Sequence, residues 1–180
     1  MMQENAKKEN KMLTISLVPQ QDATDRWDGG LKEVLRYIDF LILNEVEARC
    51  IAGCTSEGNE TKCTNIIAQY FNEVNPKTVV IVTMGCKGVT AFQSGNKTFY
   101  QSAPREISSP LDPTGAGDAF AAGFLYGILN YPESNKVKTG LQWGCAMGTC
   151  DVMVRGASTL CSKQNIETLL KYCGFRENVL

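Results

Sequence analysis

Histidine is absent from the 180 residues of this chain. Without it, neither a Ser-His-Asp nor a Cys-His arrangement can activate a nucleophile, so proton transfer has to use a carboxylate, lysine, tyrosine or thiol. The chain also lacks an apolar run of the roughly 20 residues that span a bilayer. Its polar start, MMQENAKKENK, lacks the apolar core of a secretory signal. We therefore expect an intracellular, cytoplasmic protein with no membrane partner.

An excess of positive charge is missing as well, since 18 Lys and Arg residues stand against 19 Asp and Glu residues. Nucleic acid is thus not an expected partner, because its binding depends on a basic surface. Eight cysteines occur, but none of them forms a C-x-x-C pair, and zinc sites of the Cys-His type are excluded. We expect reduced thiols with structural roles.

Strand and helix patterns alternate along the chain. Apolar runs predict strands at MLTISLV, DFLIL and KTVVIVT, and the segments GVTAFQ and KTFYQSA predict a hairpin. Helical spacing or capping signals predict helices over 31–38, 44–53, 59–74 and 134–152, with a last short helix that ends near residue 172. This alternation predicts an α/β fold with an open, mainly parallel sheet and an antiparallel edge hairpin.

The length of the chain predicts one domain. Residues 1–11 offer almost no apolar surface to offset the entropy of ordering, so we expect a disordered tail there. The folded domain is then predicted over residues 12–180.

The stretch SSPLDPTGAGDAFAAGFLYGIL passes from a turn-rich run directly into an apolar helix. Its glycines allow a tight turn, and the backbone amides of Gly115, Ala116 and Gly117 at the helix start form an anion site. Asp118 follows in the first turn, where a carboxylate beside a bound phosphate can accept a proton from an attacking hydroxyl. It can equally serve only to complement the helix dipole.

Small residues recur along the same predicted helix. Ala119, Gly123 and Gly127 lie at i, i+4 and i+8, and this stripe predicts close packing against a neighbouring element. The P-loop pattern G-x-x-x-x-G-K-[ST] is absent, and Phe120 replaces the third glycine of a dinucleotide-binding fingerprint. Any nucleotide is therefore expected to bind in a cradle of another kind.

The run DPTGAGDAFAAGFL resembles the C-terminal signature of the ribokinase, or PfkB, family of sugar kinases. DFLILNEVEA, VVIVTMGCKGV and WGCAMGTCDVMVRGAS resemble further motifs of that family, in the same order. The resemblance extends from about Met12 to the C-terminus. It implies a ribokinase-like three-layer αβα fold and transfer of the γ-phosphoryl group of ATP to a sugar hydroxyl with Mg²⁺.

By this resemblance Asp118 is the base that activates the sugar hydroxyl, and the amides of Gly115, Ala116 and Gly117 form the anion hole. Asn44 and Glu47 match positions that act near the phosphates and, through water, on Mg²⁺. For these last two residues a capping box at the start of a helix is a sufficient alternative account.

The resemblance also assigns a nucleotide loop and a position near the adenine. Thr83, Gly85 and Gly88 match the loop under the nucleotide, although an ordinary strand-to-hairpin turn is the alternative. Cys145 falls near the position that often contacts adenine, although a buried cysteine in a helix more often serves packing.

A monovalent cation, usually K⁺, binds in many relatives to a region that this chain also contains. Asp112, the Thr114 carbonyl and the loop from Arg155 to Ser158 match that region. An Asx-Pro turn at Asp112 is the alternative.

Nothing in the chain resembles the family's sugar-binding N-terminal half and lid, so the resemblance implies a fold that is truncated on its N-terminal side. We expect an exposed sheet edge there, through which the chain associates with itself, for example as a homodimer. Two alternatives to a sugar kinase stay open. One is a nucleotide-binding, non-catalytic or regulatory module, and the other is a kinase for a nucleoside or a phosphosugar.

Overall fold

The structure is a computed structural model that describes residues 13–24, 26–54, 60–93, 97–104, 110–131, 136–156, 162–171 and 175–176. The chain divides into two compact units. The first comprises Met1–Ile81 and Phe92–Lys97, and the second comprises Val82–Ala91 and Thr98–Leu180. The predicted tail over residues 1–11 lies outside the described residues. The single domain over 12–180 stays a prediction.

The first unit contains three strands and three helices. They are, in chain order, β1 (Ser16–Leu17), α1 (Leu31–Leu35), β2 (Phe40–Asn44), α2 (Glu45–Ile51), α3 (Glu60–Val74) and β3 (Val79–Thr83), of which the last two residues belong to the second unit. The strands are neighbours in the order β1-β2-β3. β1 runs parallel to β2, with Ser16 opposite Phe40 and Leu17 opposite Leu41.

Apolar residues on β2 and β3 form the core of the first unit. Leu41 and Ile81 have no exposed surface, and their neighbours along both strands are also buried. Continuous apolar runs of this kind are typical of strands that are covered on both faces. The predictions at DFLIL and KTVVIVT are therefore confirmed.

The first strand is shorter than MLTISLV predicts. The Ile15 N–H donates to the side-chain carboxylate of Asp39 at 2.8 Å, and the Ile15 carbonyl accepts from the backbone of Asp39 at 2.9 Å. A side chain thus takes up a donor that would otherwise continue the ladder. Between β1 and α1, Trp27 has a positive φ of 53°, and its N–H donates to Asp22 at 2.7 Å.

The second unit also contains strands and helices. It contains the end of β3, a 3₁₀ turn (Gly85–Lys87), β4 (Val89–Gln93), β5 (Lys97–Gln101), α4 (Ala116–Asn130), α5 (Lys136–Asp151), α6 (Lys163–Leu170) and β6 (Phe175–Arg176). The last two residues of β4 and the first residue of β5 belong to the first unit. The strands are neighbours in the order β3-β4-β5-β6. β5 and β6 are antiparallel, with Tyr100 opposite Arg176.

The α/β fold predicted from the alternation of strands and helices is confirmed. The two hairpin strands are present as neighbours, while the tip of the hairpin, residues 94–96, lies outside the described residues. β6 was not predicted, because two residues without an apolar run give no recognisable strand signal. No helix in the described ranges has the length and apolar character needed to cross a bilayer.

The expectation that the cysteines are all reduced is wrong. Cys54 and Cys63 form a disulfide, with their Cα atoms 6.0 Å apart. The sequence argument relied on the absence of C-x-x-C spacing, but pairing depends on the distance between Cα atoms, and α2 and α3 bring this pair into the usual range. Cys150 is also disulfide-bonded, whereas Cys50, Cys86 and Cys145 are not part of a disulfide.

Candidate active site

A cavity of about 350 Å³ lies within the second unit. Residues from the loop after β3, the segment after β5, the start of α4 and the end of α5 line it. They are Thr83, Gly85, Cys86, Gly88, Ala103, Pro104, Pro110, Pro113, Ala116, Gly117, Phe120, Cys145, Gly148, Thr149 and Val152. The cavity therefore brings together the predicted nucleotide loop, two of the predicted anion-hole residues and the predicted adenine contact.

Backbone hydrogen bonds within the loop after β3 fix its conformation. The Met84 N–H donates to the Gly88 carbonyl at 2.8 Å, and the Gly88 N–H donates to the Gly85 carbonyl at 3.0 Å. Both glycines have positive φ, 54° at Gly85 and 104° at Gly88. A Cβ at Gly88 would overlap the Gln101 carbonyl and approach the Ala103 nitrogen to 2.8 Å. Glycine is thus required at Gly88 on two counts, and the loop holds its backbone against the cavity.

The start of α4 leaves backbone donors uncapped. Gly115 is the N-cap residue, with φ 87° and no side-chain hydrogen bond to the first turn. The Ala116 N–H donates to the Pro113 carbonyl at 3.2 Å. The N–H groups of Gly117 and Asp118 follow in the first turn, where a helix offers no preceding carbonyl. Of the three predicted anion-hole amides, that of Ala116 is therefore engaged within the turn.

Asp118 lies in the first turn of α4 and is solvent-exposed. It does not line the cavity, whereas its neighbour Gly117 does. The carboxylate is thus one residue from the cavity wall and accessible to a molecule that approaches from solvent. At this position the positive end of the helix dipole also stabilises a negative charge.

Close packing between α4 and α5 holds this helix start in place. A Cβ at Gly123 would approach the Trp143 carbonyl oxygen to 2.6 Å, and one at Gly127 would approach the Gly140 Cα to 2.9 Å. The predicted small-residue stripe is confirmed at both glycines. The packing is reciprocal, because a Cβ at Gly144 would approach the Phe120 ring to 2.7 Å.

Aromatic rings close the other end of this helix pair. The Trp143 ring on α5 stacks on Tyr131 with centroids 5.6 Å apart, and the Tyr126 ring lies 4.8 Å from it. Trp143 is buried, with 6% of its surface exposed. Glycine contacts therefore hold the two helices together along their length, and the rings add to this packing near the end of α4.

Asp112 joins the turn before α4 to the loop after α5. Its Oδ1 accepts from the Thr114 N–H at 3.0 Å, and its Oδ2 accepts from the Gly156 N–H at 3.0 Å. The hydrogen bonds from the Thr114 backbone and hydroxyl, followed by the one from Gly156, hold the pKa of Asp112 below its ordinary value. The structure thus brings together two parts of the predicted cation region, namely the turn at Asp112 and Thr114 and the loop at Gly156. Ser158 lies outside the described residues, and Arg155 is exposed.

Cys145 on α5 is not part of a disulfide, is 6% exposed and lines the cavity. This position is compatible with the predicted contact to adenine. It is equally compatible with a role in packing alone. Several other lining residues were not predicted, namely Cys86, Phe120 and Thr149. The helical spacing from Cys145 to Thr149 is a signal that could have indicated the last of these.

Asn44 and Glu47 belong to the first unit and form a complete capping box at the start of α2. The Glu47 N–H donates to Asn44 Oδ1, and the Asn44 N–H donates to Glu47 Oε2, both at 2.8 Å. Glu47 is 8% exposed. The capping box that was the alternative account of this pair is therefore confirmed. The cap uses Glu47 Oε2 and leaves Oε1 out.

Residues 2–165 match the sequence profile described as pfkB family carbohydrate kinase. The chain belongs to this family. Ribokinase from Dictyostelium discoideum is 25% identical over 173 residues, which are 89% of this chain and 51% of that protein. Adenosine kinase from Saccharomyces cerevisiae is 30% identical over 128 residues, which are 68% of this chain and 36% of that protein.

The fold is shared with a solved structure of a ribokinase. The structure of Arabidopsis thaliana ribokinase complexed with ribose and ATP matches with a TM-score of 0.73 and 25% identity, over 94% of this chain and 50% of that one. The predicted ribokinase-like fold is therefore confirmed. The chain spans about half the length of the two ribokinases and 36% of the adenosine kinase.

Proposed function

We propose that this chain forms the ATP-binding part of a pfkB-type kinase, which transfers the γ-phosphoryl group of ATP to a sugar hydroxyl. One observation carries the proposal: the glycine loop after β3 and the uncapped start of α4 line the same cavity in a chain of this family. Its volume of about 350 Å³ falls within the range of small-molecule sites. The related ribokinase structure contains ribose and ATP, which supports the same pair of substrates here.

Phosphoryl transfer requires little covalent chemistry from the protein, so the proposed roles concern position and charge. The backbone of Gly85 and Gly88 approaches the nucleotide, and Cys145 contacts the adenine side of the cavity. The amides of Gly115, Ala116 and Gly117 face the charge that develops on the transferred group. The Ala116 amide has to leave the Pro113 carbonyl to take part, whereas the Gly117 amide needs no such change.

Asp118 is the proposed general base. Its carboxylate is exposed at the positive end of α4, so an acceptor hydroxyl from solvent can reach it while the phosphates occupy the amides. The transfer moves the hydroxyl proton to Asp118 and forms the bond from the hydroxyl oxygen to the γ-phosphorus. The bond from that phosphorus to the oxygen bridging it to the β-phosphate breaks, and ADP leaves with this oxygen.

Two cations are proposed to accompany the nucleotide. Glu47 fits a Mg²⁺ site through water, because Oε1 is a hard oxygen that the cap does not use. Mg²⁺ would neutralise charge on the transferring phosphates. Asp112, the Thr114 carbonyl and the loop at Arg155 and Ser158 are proposed to hold K⁺, and the Asp112 carboxylate already joins both segments.

A nucleoside acceptor is the second candidate, because the adenosine kinase of yeast is 30% identical to this chain. A nucleotide-binding module without catalysis is the third, because the chain spans about half of its relatives. We also propose a cytoplasmic location and self-association of the chain, for example as a homodimer.

The replacement Asp118→Asn tests the kinase proposal. Loss of the base should lower turnover at least about 100-fold while ATP affinity changes little. Turnover is measured by coupled ADP detection with a panel of sugars and nucleosides, and ATP affinity by calorimetry. The matched control is Asp28→Asn, which removes an exposed carboxylate of the first unit. Equal turnover in both variants would contradict the role of Asp118, and ATP binding without turnover in the unmodified chain would favour the non-catalytic module.

A further inference from the structure

The 3₁₀ turn in the loop after β3 presents a backbone acceptor at its end. The turn ends at Lys87, whose N–H donates to the Met84 carbonyl at 3.1 Å. A helix of one turn has no later amide that could donate to its last carbonyl groups. The Lys87 carbonyl is therefore available to a donor from outside the turn.

The hydroxyl of Tyr100, near the end of β5, donates to this carbonyl. The distance from Tyr100 Oη to the Lys87 oxygen is 2.6 Å, at the short end of the range for O–H···O hydrogen bonds. The two residues are 13 positions apart in the chain, so the contact joins β5 to the turn across the fold. A side chain of β5 thus holds the end of the predicted nucleotide loop.

The end of β5 supports the loop at a second point. A Cβ at Gly88 would overlap the Gln101 carbonyl and approach the Ser102 Cα to 2.8 Å, so the two backbones are in direct contact. Gln101 is completely buried and Tyr100 is partly exposed, as expected for neighbours on a strand whose side chains point to opposite faces. The backbone after β5 and the Tyr100 hydroxyl therefore hold the loop from two separate points.

The turn that Tyr100 holds is part of the cavity wall. Gly85, Cys86 and Gly88 line the cavity, whereas Lys87 and Tyr100 are not among its lining residues. The Lys87 carbonyl and the Gly88 N–H belong to one planar peptide unit, so fixing the carbonyl also fixes the direction of that N–H. The hydroxyl thus acts on the cavity wall from outside, through the backbone.

We propose that Tyr100 is a positioning residue for the nucleotide. Its hydroxyl holds the peptide between Lys87 and Gly88 in the orientation that binds ATP, without touching the ATP itself. A short loop held by a few backbone hydrogen bonds opens locally at low cost. Loss of one of these bonds lowers the fraction of chains with a closed loop, and the apparent affinity falls with that fraction. The inference rests on the proposed ATP site in this cavity.

The replacement Tyr100→Phe tests the inference, because it removes the hydroxyl and keeps the ring. Amide hydrogen exchange over residues 84–88 should be about 5-fold faster than in the unmodified chain. The Kd for ATP, measured by calorimetry, should rise about 3-fold. In a turnover assay the KM for ATP should rise while kcat stays the same, since the hydroxyl does not touch the reacting groups.

Tyr126→Phe is the matched control. It removes a tyrosine hydroxyl of the same unit, and the Tyr126 ring packs against Trp143 and does not line the cavity. Exchange over residues 84–88 and the Kd for ATP should therefore equal those of the unmodified chain. A change of the same size in both variants would overturn the specific role of Tyr100.

Urea unfolding separates positioning from a purely structural role. If Tyr100→Phe lowers the free energy of unfolding and leaves the Kd for ATP unchanged, the hydroxyl supports the fold alone and the inference is wrong. Faster loop exchange with an unchanged Kd overturns it in the same way. Failure of the unmodified chain to bind ATP would overturn the proposed function together with the inference, whereas equal ATP binding by both chains would overturn the inference alone.

Discussion

Two helices of this protein begin in opposite ways. α2 begins with a capping box, in which Asn44 and Glu47 satisfy each other's backbone donors. α4 begins at Gly115 with no side-chain cap, and its position depends on glycine contacts with α5. A capped start uses its donors for stability, whereas an uncapped start keeps them for a ligand and has to be held in place by tertiary packing. The difference explains why the proposed anion site lies at the second start.

The largest effect is expected when the packing that supports α4 is removed. Gly123→Ala should gain about 1 kcal/mol from helix propensity. The new Cβ would approach the Trp143 carbonyl oxygen to 2.6 Å, and the resulting overpacking should outweigh this gain and destabilise the fold by about 2 kcal/mol. Urea unfolding measures the net sign. Gly29→Ala is the control, because no atom lies within 4 Å of a Cβ there. If Gly123→Ala is more stable than the unmodified chain, the proposed support of α4 is wrong.

A smaller effect is expected at the capped start. Asn44→Ala removes the acceptor for the Glu47 N–H and should cost about 1 kcal/mol. The same replacement at Asn72, exposed inside α3, should not lower stability, because alanine is the better helix former. The free energy of unfolding of the two variants tests the difference. Equal values would show that the cap contributes nothing measurable.

The smallest effect concerns the turn that precedes α4. The pKa of Asp112 is lowered by hydrogen bonds from Thr114 and Gly156, so its folded value lies below the unfolded value of 3.8. The ionised group therefore stabilises the fold above about pH 4, and this contribution is lost as the pH falls through the folded pKa. Asp112→Asn should lower the Tm at neutral pH, and this difference from the unmodified chain should shrink as the pH falls below the unfolded value of the carboxyl. A difference in Tm that does not change with pH would rule out this linkage.

The capping box could be predicted from the sequence because both partners lie within three residues of each other. The same holds for the strands at DFLIL and KTVVIVT and for the glycine stripe of α4, whose signals are local runs and spacings. The partner stripe, Gly140, Gly144 and Gly148, has the same spacing and was overlooked. Its signal was available, but which helix it faces depends on tertiary packing.

Other features depend on contacts between distant segments, and the sequence gives little indication of them. The Cys54–Cys63 disulfide requires the meeting of α2 and α3, and β6 is defined by its pairing with β5. The buried carboxylate of Asp151 looks in the sequence like an ordinary polar residue near a helix end. Its burial becomes visible only in the packed structure.

The two tryptophans of the chain, Trp27 and Trp143, fall one in each unit. Trp27 lies in the loop before α1, and Trp143 on α5 packs against Tyr126 of α4 and Tyr131 at the end of that helix. Replacing either one by phenylalanine leaves a single indole whose fluorescence follows one unit alone. The protein thus carries its own optical reporters, with which the melting of each unit can be recorded separately and without an attached label.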